Sequence, residues 1–169
     1  MSQKSSSISA AESALKCELA AEVLRSFGQL RFAATGWSML PSIFPGETLI
    51  VERVNPDQVR IGDVVLVKRE RGLRAHRVVG EAGNPTHRQW ITQGDALPVQ
   101  DRPVAGNELL GRITYLIRAG KRIAMPSMLT AAETLTAMMI QRSRFAARAV
   151  ICLNRMRKTS QKSVLSCQG

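Results

Sequence analysis

Ile61-Gly62-Asp63-Val64-Val65-Leu66-Val67 reads as a turn followed by a strand. Gly-Asp punctuates the chain, and the β-branched run after it favours an extended backbone. The same grammar recurs on both sides. Upstream, Pro45-Gly46 precedes Thr48-Leu49-Ile50-Val51, and Leu30–Ala34 offers an earlier strand. Downstream come Leu73–Val79, Gln89–Thr92 and Leu109–Ile117. Short apolar runs separated by Gly-Asp, Pro-Gly and Gly-Asn turns predict a mainly β domain of antiparallel hairpins between about residues 30 and 117.

The flanks have a different period. From about 10 to 27, Leu15, Leu19, Val23, Leu24 and Phe27 recur at helical spacing, with Glu12 and Lys16 as an i,i+4 pair. Gly28 is the expected stop. The Ser-rich residues 1–8 are expected to be a disordered tail. From 123 the period is again helical. Ile123 to Ile140 contains Pro126 and Glu133 and ends at Arg142 and Arg144, which fits an interfacial helix better than a membrane span. The expected organisation is a tail (1–8), a helix and lead-in (9–34), a β domain (35–122) and a basic helical extension (123–169).

The 169 residues allow one domain with a substantial core. Apolar residues make up 44% and aromatics only 4%, so Val, Ile, Leu, Met and Ala must fill that core. The net charge of +11 is uneven. Residues 118–169 carry ten basic groups against Glu133 alone, or +9, and the rest is nearly balanced. Such a segment suits an anionic membrane surface or an acidic partner. No aromatic platform or nucleic-acid motif accompanies it, so specific nucleic-acid binding is not expected. Cys17, Cys152 and Cys167 have no metal-ligand or disulfide spacing, and no cofactor motif is present. Without a signal peptide or a clear span, a cytoplasmic or peripheral membrane location is expected.

Four residues could carry chemistry. Ser38 lies in Gly36-Trp37-Ser38-Met39-Leu40-Pro41. Gly36 permits close substrate approach, Met39 can bury itself to lock the turn, and Pro41 fixes its exit. A serine hydroxyl needs a base to become a nucleophile. His76, with a near-neutral reference pKa, is the candidate base, whereas His87 sits in a polar loop sequence. Asp95 and Asp101 follow, and either could hold the second ring nitrogen of His76. Asp63 reads as a turn residue.

Together these blocks resemble the signal peptidase superfamily of serine proteases, which includes the self-cleaving LexA-like repressors. Ser38-Met39-Leu40-Pro41 is similar to its nucleophile box. Gly46-Glu47-Thr48-Leu49-Ile50-Val51 and Ile61-Gly62-Asp63-Val64-Val65 resemble its strand entries. His76-Arg77-Val78-Val79 resembles the general-base box, and Thr92-Gln93-Gly94-Asp95 with Asp101 and Leu110-Gly111-Arg112-Ile113 the closing segment. Histidine at the base position resembles the archaeal, endoplasmic-reticulum and sporulation-type branch. Lysine there marks the other branches, and Lys68 is the rival base. The resemblance implies a coiled antiparallel β fold and a serine endopeptidase that cleaves a leader or signal peptide through an acyl-enzyme on Ser38. It implies His76 as base, Asp101 as its partner with Asp95 nearby, and the Ser38 N–H as one oxyanion donor. The family often has a hydroxyl residue at the position of Gly36. A self-cleaving regulator and a non-catalytic peptide- or membrane-binding relative are the alternatives.

Overall fold

The structure is a computed structural model that describes residues 2–70, 72–84, 87–143, 146 and 148–153. A helix, α1 (Ser2–Phe27), leads into β1 (Gln29–Ala33), β2 (Thr48–Glu52), β3 (Val64–Arg69), β4 (Gly72–Asn84), β5 (His87–Gln93), β6 (Val104–Ala105), β7 (Leu109–Arg118) and β8 (Lys121–Ala124). A second helix, α2 (Ala131–Arg142), follows. The strands form one antiparallel sheet in the order β1-β2-β7-β3-β4-β5-β6, with β8 paired to β7. The mainly β expectation with helices at both ends holds.

The Val64–Val67 run shows why the sheet coils. All four side chains are buried, and they alternate between two cores. Val64 and Leu66 join Leu24 of α1, Leu49, Val51, Ile113 and Leu116. Val65 and Val67 join Val59, Val78, Trp90, Val104 and Leu109. A strand apolar on both faces must be covered on both faces. Here α1 covers one, and the β5–β6 end of the same sheet contributes Trp90 and Val104 to the other. Gly62 opens this strand at φ 98°, a backbone angle that L side chains rarely adopt. Asp63 serves the turn, as expected: its Oδ2 accepts the Arg60 N–H at 2.9 Å.

Two expectations need correction. The backbone is helical from Ser2, where a disordered tail was expected through residue 8; no proline or glycine interrupts that stretch. The C-terminal helix does not begin at Ile123. Ala119 and Gly120, both at positive φ, turn the chain between the paired residues Arg118 and Lys121, so Lys121–Ala124 returns along β7 as β8. Pro126 follows in a loop, and α2 starts only after Thr130, whose hydroxyl accepts the Glu133 N–H in a capping box. Among the described residues, no helix is long and apolar enough to cross a membrane. Cys17 is buried and its thiol pKa is pushed up mainly by that burial, Cys152 is exposed, and Cys167 lies outside the described residues.

Candidate active site

Successive side chains on a strand point to opposite faces, and β4 uses this at its centre. His76 pairs in register with Val65, and Arg77 with Val64. The imidazole therefore shares the face of Val65, and the guanidinium shares the face of Val64. β5 ends at Gln93 opposite Arg77. From His76 back to Gly72, β4 thus has no β5 partner, and this bare edge flanks a cleft.

The turn that carries Ser38 stands across that cleft. It is closed by the Leu40 N–H to the Trp37 carbonyl at 3.1 Å and the Ile43 N–H to the Met39 carbonyl at 2.9 Å. Met39 and Ile43 are buried in the α1 core, and Leu40 in a third cluster with Ala96 and Ile140. Pro41 is buried after a cis bond. With its neighbours anchored, Ser38 is aimed at β4. Its Oγ lies 3.1 Å from His76 Nε2, and His76 Nδ1 lies 2.5 Å from Asp101 Oδ2. Asp101 Oδ2 also accepts the Thr92 hydroxyl at 2.7 Å, and Arg74 Nη1 stands 3.7 Å from Oδ1. Burial raises the Asp101 pKa. The hydrogen bonds from His76 and Thr92, with the charges of His76 and Arg74, outweigh that and hold it below the ordinary value of 3.8. Asp101 is thus held as a carboxylate. A carboxylate on Nδ1 keeps the ring proton there, which leaves Nε2 free to accept the serine proton.

Asp95 is elsewhere. Its Oδ1 accepts from Arg77 Nε at 2.9 Å and its Oδ2 from Arg77 Nη2 at 3.0 Å. The Ser42 hydroxyl also donates to Asp95 Oδ2. Arg77 Nη1 further reaches the carbonyls of Gly62 and Pro126 at 2.9 and 2.7 Å. Of the two aspartates left open by the sequence, Asp101 meets the histidine, and Asp95 meets the arginine on the opposite face.

The sequence reading assigned no role to Thr92, Arg77, Ser42 or Gly94. Gly94 is the tightest of these: a Cβ there would lie 2.6 Å from the Ser38 carbonyl oxygen and 3.1 Å from His76 Nε2. The Ala96 N–H holds that same carbonyl at 2.8 Å. Gly36 is the opposite case, exposed and with open space where a side chain would stand. The rival base Lys68 is exposed on β3, opposite Leu73, and does not line the cleft with Ser38. His87 starts β5, and its N–H donates to Asn84 Oδ1 at 2.8 Å.

The cleft encloses about 360 Å³ between the end of β1 and the bare edge of β4. Phe32, Ile43, Leu49 and Leu73 supply apolar walls, and Ser38 and His76 line it. Among the described residues, no cluster of His, Cys, Asp or Glu could hold a metal ion. No protein-family model matches the chain, and no curated protein matches it.

Proposed function

We propose that this protein is a serine hydrolase that cleaves peptide bonds. More narrowly, it is an endopeptidase of the signal-peptidase type, with the coiled β fold of that superfamily, acting on a leader or signal peptide. The observation that carries the proposal is the continuous line from Ser38 Oγ through His76 to Asp101, with contacts of 3.1 and 2.5 Å, opening on an apolar cleft. The bare edge of β4 also suits an extended peptide, whose main chain can pair with it while alternate side chains enter the cleft.

The chemistry runs in two halves. Ser38 Oγ attacks the scissile carbonyl carbon as His76 Nε2 takes the hydroxyl proton. Asp101 stabilises the imidazolium that forms. The Ser38 N–H is assigned as one donor to the developing oxyanion. The intermediate collapses by breaking the C–N bond, and His76 gives its proton to the leaving amine. Water then attacks the acyl-enzyme with His76 again as base, releasing the new carboxylate and restoring Ser38.

The test uses a quenched-fluorescence peptide library and a biotinylated fluorophosphonate. Wild-type protein is expected to cleave members of the library and to carry the label on Ser38 by mass spectrometry. Ser38→Ala should lose both, and His76→Ala should slow both at least about a hundredfold. Full cleavage by Ser38→Ala, or neither cleavage nor labelling by wild type, would sink the proposal.

A further inference from the structure

A helix packed on a globular domain normally turns its apolar stripe inward, and α2 carries a second, larger apolar stripe outward. Its inward face holds the buried Ala137 and Ile140, with Ile140 against Leu40 and Ala96. Its outward face holds Leu135, Met138 and Met139, which are 64%, 55% and 66% exposed. These stand at i, i+3 and i+4, and Arg142 continues the stripe at i+7. Met128, in the loop before the helix, is 79% exposed. Large apolar side chains grouped on a surface mark an interaction site.

The charge of the same segment of chain indicates what covers the stripe. Residues 118–169 carry ten basic groups and one acidic group. That acid, Glu133, is turned to its own helix start, accepting from the Thr130 N–H at 2.9 Å. Arg142 and Arg148 are exposed, as are Lys121 and Arg122 on β8. A second copy of the chain would bring the same positive charge to this face and be repelled. An anionic lipid surface offers both complements, acyl chains for the stripe and phosphates for the arginines. At 12 residues, α2 is about 18 Å long and too short to span a bilayer.

We propose that the outer stripe of α2 docks on an anionic bilayer, lying in the plane of the headgroups. Leu135, Met138 and Met139 enter the acyl boundary, where the unbranched methionines adapt to disordered chains. Arg142 and Arg148 pair with lipid phosphates. Gln141 Nε2 donates to the carbonyls of Asp95 and Leu97 at 3.2 and 3.3 Å, and Leu97 lines the cleft. Docking would therefore hold the cleft close to the membrane surface. On the peptidase reading, the substrates are then peptides presented at that surface; the docking itself does not rest on that reading.

Vesicle flotation of the full chain, without substrate, tests it. Wild type should float with phosphatidylcholine–phosphatidylglycerol vesicles, stay down with phosphatidylcholine alone, and float less at high salt. Leu135→Ser/Met138→Ser/Met139→Ser should cut the partition coefficient at least about tenfold, with circular dichroism and Tm unchanged because these side chains are exposed. Arg142→Glu/Arg148→Glu should do the same for the anionic vesicles. Wild type that fails to float with anionic vesicles overturns the proposal, as does a triple serine variant that floats like wild type. A wild-type dimer that the triple variant dissolves, with no vesicle binding by either, would assign the stripe to self-association and equally overturn it. Ser38→Ala should float like wild type, so failure of the peptidase reading leaves this result unchanged.

Discussion

Gly94 touches the main-chain carbonyl of Ser38 on one side and the ring of His76 on the other. A methyl group placed there meets a backbone oxygen at 2.6 Å, which cannot swing aside as a flexible side chain would. Gly94→Ala is therefore expected to push the serine turn away from the histidine. The outcome should be a kcat at least about a hundredfold lower with far-UV circular dichroism retained; a kcat within a factor of about three of wild type would contradict it. Nothing in Thr92-Gln93-Gly94-Asp95 announces this. Read along the chain, Gly94 is turn punctuation, because the oxygen that excludes a side chain belongs to a distant loop. Ser38 and His76 were legible only in combination: a serine between glycine and proline, or a histidine entering an apolar strand, is weak alone, and their order among the neighbouring blocks carried the resemblance.

The two faces of β4 give two aspartates different work. Spacing alone left both as partners for His76, since a sequence does not say on which face a loop residue lands. Strand alternation and the β3–β4 register decide it. Arg77 and Arg118, on β4 and β7, both hold the Ser38 turn at Ser42. Arg77 Nη2 lies 3.3 Å from the Ser42 hydroxyl, and Arg118 Nη2 donates to its carbonyl at 2.8 Å. Arg118 Nε also pairs with the buried carboxylate of Glu47 at 2.6 Å. Arg77→Met would leave Asp95 as a buried carboxylate without its cation and should cost about 3–5 kcal/mol in urea denaturation. Asp101→Asn should instead leave most of the stability and lower kcat by about a thousand- to ten-thousandfold, because the ring loses the acceptor that fixes its tautomer. Equal stability losses in the two variants would count against this division. The β8 strand was missed at the same scale: its turn is Ala119-Gly120, without the asparagine or aspartate that usually marks such hairpins.

For the molecule as a whole, alternating apolar runs gave away a mainly β domain between two helical segments. They could not give the strand order. β7 lies between β2 and β3, and pairings across so much chain depend on both partners at once. Stability of the whole fold should also follow the Asp101 carboxylate. Its folded pKa lies below its ordinary value of 3.8, so its contribution is complete above that value and disappears as pH falls through the lower folded one. Thermal melts of wild type and Asp101→Asn should differ near neutral pH and converge in acid, whereas a gap that widens on acidification would reverse the sign. The opposed side chains of β4 have one more consequence. A slip of one residue against β3 would turn a guanidinium toward Ser38 and carry the imidazole to the opposite face, away from the serine. On the peptidase proposal, serine reactivity would then be a clock for folding. In refolding followed by fluorophosphonate capture, the label should appear only when β3 and β4 have zipped in their native phase, which times a single strand pairing within the collapse of the whole sheet.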